Sequence, residues 1–198
     1  MLHALRSLQL RSLRFSLSAL RRAIAGLAIV TILVGSLAIG GDAWAIGGTL
    51  PVIDSPAPAF SLPTNTGDGD VDLEDYRGQW VVLYFYPADF TPGCTIEARR
   101  FQDDLPKYID RNAQVIGISA DDVQSHEEFC DSEGLRFPLL ADTNGSVSKA
   151  YGSWVYSRSV RHSFIIDPEG KIRERFVKVR PTIHSAEVLE RLDELQSV

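Results

Sequence analysis

The 198-residue sequence predicts an α/β domain in which a central mixed β-sheet is flanked by helices. Three observations predict it. Residues 80–86, Trp-Val-Val-Leu-Tyr-Phe-Tyr, form an unbroken β-branched and aromatic run too short for a helix, and residues 113–120 form a second buried strand. Each run is followed by a helical stretch, 95–109 and 123–133, the first with Ile96, Phe101, Leu105 and Ile109 at roughly helical spacing. A strand hairpin and a last helix complete the order, which places helices over a sheet.

The remaining elements follow from local chemistry. Residues 50–63 carry Pro51, Pro56, Pro58 and Pro63 and read as an extended lead-in with a short strand near Phe60. Residues 64–70 are a Gly/Asp/Asn turn, 71–73 a returning strand, and 72–76 a helical turn before Gly78. Gly134 ends the helix at 123–133, a brief strand is expected at 138–140, and a short helix at 146–151. Asp167-Pro168-Glu169-Gly170 is a turn between strands 162–167 and 171–177, and the last helix starts near Ser185.

The first strand ends in Pro87, and Pro92-Gly93 delivers Cys94 to the start of the next helix. Unpaired N–H groups and the helix dipole there favour an anion, and a thiolate is a nucleophile. Thr91 places a hydroxyl three residues away. The alternative is that Cys94 is a small buried hydrophobe, but a cysteine placed by a Pro-Gly turn at a helix start is a poor core filler.

The segment Pro87-x-x-x-Thr91-x-x-Cys94 matches the active-site signature of the peroxiredoxins. Tyr84-Phe85-Tyr86-Pro87 followed by Thr91-Pro92-Gly93-Cys94-Thr95 resembles the peroxiredoxin Q, or bacterioferritin-comigratory-protein, branch of the AhpC/TSA family. Phe60-Ser61-Leu62-Pro63, Tyr76-Arg77-Gly78, Val115-Ile116-Gly117-Ile118-Ser119 and Ser163-Phe164-Ile165-Ile166-Asp167 extend the likeness from about Pro56 to the C-terminus. The resemblance implies a thioredoxin-like fold and a thiol peroxidase without haem, flavin or metal. It implies Cys94 as the peroxidatic residue, with Thr91 and Arg161 as catalytic partners and Pro87 and Gly93 in the peroxide-binding loop. An arginine in this position stabilises both thiolate and leaving oxygen. From the residues alone, Arg158, Arg161, Arg173 and Arg175 read as solvated strand-edge charges; only the resemblance singles out Arg161, with Arg158 the fallback for the site.

The branch often carries a resolving cysteine five positions after the first, and that position here is Arg99. The other cysteine is Cys130, 36 residues on. Some members of the branch have a resolving cysteine on this helix, which implies a Cys94–Cys130 disulfide reduced by thioredoxin or a similar dithiol. A disulfide needs Cα atoms within about 7 Å, so local unwinding of both segments is implied. Two other readings stay open: a one-cysteine peroxidase with an external resolving thiol, and a thiol–disulfide oxidoreductase. The last lacks its Cys-x-x-Cys, since Cys94 is followed by Thr95, Ile96 and Glu97. A permanent structural bridge is a further rival.

Arg6, Arg11, Arg14, Arg21 and Arg22, an apolar run over 23–40 and Ala43-Trp44-Ala45 make the three parts of a cleavable signal peptide over 1–45, with an anchor as the alternative. The expected mature domain is 46–198, exported to a periplasm or a thylakoid lumen. The whole chain has 20 basic and 26 acidic residues; without 1–45 there are 15 and 25, a net charge of −10. That argues against nucleic acid and anionic membrane surfaces as partners and suits a soluble protein acting on small neutral molecules or docking a partner; a monomer acting on peroxide substrates is expected. His162 and His184 have no companions at metal-ligand spacing, so no metal is expected. His126 reads either as a group one helical turn before Cys130 that tunes its thiol or, more often, as a surface helix residue, and Trp154 and Tyr156 as lining a loop near the site entrance. Glu97 reads either as a solvated helix residue or as a partner of an arginine, and Asp89 and Phe90 carry no specific expectation.

Overall fold

The computed structural model describes residues 44–67, 69–177 and 179–197. The expected signal segment therefore lies outside the described residues except for its last two. Those two form strand β1 (Trp44–Ala45), which pairs with β2 (Gly48–Thr49).

Strand β3 (Ser61–Pro63) pairs antiparallel with β4 (Asp70–Asp72), and a 3-10 turn over Leu73–Tyr76 follows. Next come β5 (Trp80–Phe85), helix α1 (Pro92–Ile109), β6 (Ala113–Ser119), α2 (Val123–Glu133), β7 (Leu139–Ala141) and α3 (Ser146–Ala150). The chain continues through β8 (Trp154–Val155), β9 (Arg158–Ser159), β10 (Ser163–Ile166), β11 (Ile172–Phe176) and α4 (His184–Gln196).

The central sheet has the order β11-β10-β5-β6-β7. β5, β6 and β7 run parallel, while β10 runs antiparallel to β5 and to β11. This is the expected mixed sheet with helices against it. Helix α1 starts at Pro92 rather than at 95, because proline is compatible with the first helical position, where no N–H is needed. The β8–β9 hairpin was not expected, since two-residue strands carry no periodicity to detect.

Alternate residues of β5 face opposite sides, as pleating requires. Val82, Tyr84 and Tyr86 join Val115, Leu139 and Ile165 against Phe101, Leu105 and Tyr108 of α1, Phe129 of α2, and Val188 and Leu192 of α4. Val81, Leu83 and Phe85 join Ile116, Ile118 and Phe164 against Leu50, Phe60, Leu62, Val147 and Tyr151. Phe101 is fully buried and stacked on Tyr84 with centroids 4.8 Å apart, so Phe101→Ala would cost about 3–5 kcal/mol.

The topology decides where chemistry can occur. Parallel β5 and β6 bring the loops after them, 86–91 and 120–122, to the same sheet end, where α1 and α2 begin. Because β10 is antiparallel, its start lies at that end too: Phe85 N donates to His162 O at 2.8 Å and Ser163 pairs with Tyr84.

Candidate active site

Two segments far apart in sequence meet at Cys94. Pro87 ends β5, since a proline cannot continue the hydrogen-bond ladder. Thr91 caps α1 in an extended conformation, Pro92 takes the first helical position, and Cys94 falls in the first turn. Gly93 and Cys94 thus belong to the N–H groups that lack an intrahelical acceptor. Thr91 Oγ1 lies 2.7 Å from Cys94 Sγ and 3.0 Å from Ala88 O.

Arg161 arrives from the start of β10. Its Nη2 donates to Cys94 Sγ at 3.1 Å, and its Nη1 pairs with Glu97 one turn along α1. A Cβ on Gly93 would lie 2.8 Å from that Nη2, so the absent side chain is what admits the guanidinium. Arg158, the fallback, is exposed on β9. Glu97 is buried, and burial pushes its carboxyl up to about 7 against the pull of Arg161. Between its two readings, the structure selects the arginine partner. Cys94 itself is 1% exposed.

Cys130 lies in the last turn of α2 and is 6% exposed. Burial, with smaller contributions from Asp89 and Asp131, pushes its thiol up to about 12. Asn65 Nδ2 donates to its sulfur at 3.3 Å; Asn65 itself is pinned to β7, donating its N–H to Leu139 O and accepting from Leu139 N through Oδ1 at 2.8 Å. Both cysteines are free thiols in one apolar cluster. Arg99, where the branch often has its second cysteine, is exposed and pairs with Glu133 of α2.

One expectation is corrected. His126 is not a surface residue: it is fully buried, with Nδ1 2.8 Å from Asp89 Oδ2, because Asp89 offers a buried carboxylate that needs partners. Trp154 packs against Gly145 at the head of α3, under Lys149 Nζ at 5.1 Å, while Tyr156 points into solvent at the hairpin tip. Sequence reasoning missed Asp89 and Asn65, since a lone Asp or Asn in a loop signals only a turn. Among the described residues no cluster of three metal-ligating side chains occurs.

The AhpC/TSA family model matches residues 53–175. The chain belongs to the AhpC/TSA family, in the Bcp branch of the peroxiredoxins. The peroxiredoxin is 35% identical over 150 residues to Peroxiredoxin Bcp of Xanthomonas campestris, covering 71% of this chain and 94% of that one. It is 41% identical over 140 residues to a putative peroxiredoxin of Mycobacterium tuberculosis, covering 67% and 88%. Among solved structures it is similar to a PrxQ of Xylella fastidiosa, with TM-score 0.71 and 33% identity over 75% of this chain and 99% of that one. It is also similar to the Xanthomonas campestris bacterioferritin comigratory protein, described for alkyl peroxide reduction, with TM-score 0.64 and 32% identity over 69% and 91%. The thioredoxin-like peroxiredoxin fold is therefore that of this chain, and its activity is that of a thiol peroxidase.

Proposed function

We propose that Cys94 is the peroxidatic residue and reduces hydrogen peroxide and organic hydroperoxides. The observation that carries this is one sulfur, in the first turn of a helix, contacted by both Thr91 Oγ1 and Arg161 Nη2. One hydroxyl proton cannot serve two acceptors at once. With a thiol, the Thr91 O–H donates to Ala88 O; with a thiolate it turns to the sulfur. The thiolate attacks the terminal peroxide oxygen, forming S–O as O–O breaks. Arg161 and the N–H groups of Gly93 and Cys94 stabilise the departing hydroxide or alkoxide, while Pro87 and Gly93 shape the loop that holds the peroxide. Cys94 is left as a sulfenic acid.

Cys130 then resolves it into a Cys94–Cys130 disulfide, which thioredoxin or a similar dithiol reduces. A one-cysteine cycle with an external thiol is the second reading, favoured by the burial of Cys130 against Asn65. Export with cleavage after Ala45, giving a monomeric 46–198 domain, belongs to the same proposal. It rests on the basic, apolar and Ala43-Trp44-Ala45 parts of residues 1–45; the two residues before the cut pair with β2, so cleavage there would remove β1.

Mass spectrometry of the mature protein before and after one equivalent of peroxide tests all three. A mass starting at Ile46 and an intramolecular loss of two hydrogens mapped to Cys94 and Cys130 are expected. A sulfenic or sulfinic acid at Cys94 with Cys130 still free would select the one-cysteine cycle. Peroxide turnover by Cys94→Ser would overturn the assignment of the nucleophile.

A further inference from the structure

Asp89 and Phe90 stand just before the helix cap Thr91, and both grip helix α2. Asp89 is buried and accepts the Tyr86 hydroxyl at 2.7 Å and Ser125 Oγ at 2.8 Å, while His126 Nδ1 lies 2.8 Å from the same carboxylate. Its backbone N–H donates to Asp121 Oδ2 at 2.9 Å, in the loop that leads into α2. Phe90 sets its ring edge-to-face against Phe129, with centroids 5.2 Å apart. Ser125, His126 and Phe129 all belong to α2, and Cys130 follows Phe129 directly. The loop that carries Cys94 and the helix that carries Cys130 are thus fastened to each other by a polar and an apolar contact.

Three features mark this fastening as made to open. A buried carboxylate with three side-chain partners is costly when half satisfied, so it is made or lost as a unit. Phe90 also holds φ +56, in the left-handed region that a bulky residue rarely adopts, while the residue as a whole is 53% exposed. Strain of this kind persists only where the surrounding structure holds it. His126 Nε2 is buried without a hydrogen-bond partner among the described residues, a further cost of the closed form.

We propose that Asp89 and Phe90 are positioning residues that form a clasp on α2 and set the rate of the second chemical step. This rests on the reading of Cys130 as the resolving cysteine. In that step the Cys94–Cys130 S–S bond forms and the sulfenic S–O bond breaks. The hydroxyl leaves as water with the Cys130 proton, and no outside oxidant or reductant enters. Cys94 must first leave Thr91 and Arg161, and Cys130 must leave Asn65. The first turn of α1 and the last turn of α2 therefore loosen, and the clasp joins the segments that bear them. A closed clasp keeps Cys94 in its peroxide-reducing setting and prolongs the sulfenic acid, which in excess peroxide is open to further oxidation.

The test compares wild type, Phe90→Ala and Asp89→Asn by rapid mixing of reduced protein with peroxide. Disulfide formation after Cys94 oxidation is timed by quenched mass spectrometry, and sulfinic acid is titrated against peroxide concentration. Phe90→Ala should speed disulfide formation about threefold to tenfold, the size of one aromatic pair. Asp89→Asn should speed it further. Both should need more peroxide to give the same sulfinic acid, although both melt at lower temperature. A merely structural role would lower melting without raising resistance to sulfinic acid. If Asp89→Asn does not fold, Phe90→Ala decides alone, since Phe90 is half exposed and outside the buried core. Disulfide formation unchanged or slower in the folded variants overturns the clasp while leaving the role of Cys130 intact. A wild type that forms no Cys94–Cys130 disulfide overturns both.

Discussion

Cys94 lies in the first turn of α1 and Cys130 in the last turn of α2, and the two helix ends surround sulfur differently. At Cys94 the helix presents N–H groups, and a hydroxyl and a guanidinium approach the same sulfur. At Cys130 the helix presents carbonyls, with Gly134 N already donating to Cys130 O, and one neutral amide reaches the sulfur. Burial alone does not separate them, since 1% and 6% exposure are nearly the same. What separates them is the supply of donors. A buried thiol without a cation stays a thiol, and Cys130 is pushed up to about 12 accordingly. On the proposed assignment, the first is the cysteine that meets the oxidant and the second is the thiol that must be released to resolve it.

The sharpest way to break this comparison is to exchange sulfur for oxygen at each site in turn. Cys94→Ser should abolish peroxide consumption, because a serine hydroxyl is far less ionised than a thiol near neutral pH. Cys130→Ser should keep the first burst, lose thioredoxin-coupled turnover and collect sulfinic acid at Cys94. Equal loss of the burst in both variants would show that the two sites are not specialised.

Arg161→Met keeps the bulk at Cys94 and removes the cation, leaving it with a donor supply closer to that of Cys130. Stopped-flow oxidation of Cys94 should slow by roughly 10²–10³-fold, the loss of one oxyanion donor. Wild-type rates would mean that the guanidinium is not used. Gly93→Ala sharpens the same point without touching a charge. The new Cβ would meet Arg161 Nη2 at 2.8 Å and displace the guanidinium. A slowing of roughly 10–100-fold with an unaltered circular dichroism spectrum is expected.

The smallest effect concerns Glu97, whose carboxyl is raised by burial from 4.5 to about 7 in the fold. Between those values the folded chain binds more protons than the unfolded one, so stability falls as pH rises through the window. The fall is at most about 3 kcal/mol and is complete above pH 7. Urea unfolding at pH 5 and pH 8 should show it in the wild type and not in Glu97→Gln. A stability that rises with pH in the wild type, and flattens in the variant, would show that Arg161 outweighs the burial.

The elements that carry the site were legible because their patterns are local. The run at residues 80–86 admits only a strand, and Pro92-Gly93 after it admits only a turn into a helix. Thr91 and Cys94 sit three apart on one backbone, so their contact follows from helix geometry. Glu97 reads either way from sequence, because a residue three after Cys94 shares its face but has no visible partner until Arg161 arrives. His126 was misread for a related reason: a histidine is far more often exposed than paired with a buried aspartate 37 residues away. Asn65, 65 residues from the sulfur it contacts, left no sequence signal at all.

The sequence by itself determined the strand–turn–helix that carries Cys94, the alternation that buries both faces of β5, and the family to which the chain belongs. These are short-range matters, set by side-chain period, by the fixed φ of proline and by the orphan N–H groups of a helix start. Only the tertiary structure decided which arginine reaches the sulfur, because β10 returns antiparallel beside β5 and sets Arg161 at the end where α1 begins. It alone joined Asp89 to His126 and Asn65 to Cys130. Buried polar groups must find partners wherever the packing brings them, and that choice is made in space rather than along the chain.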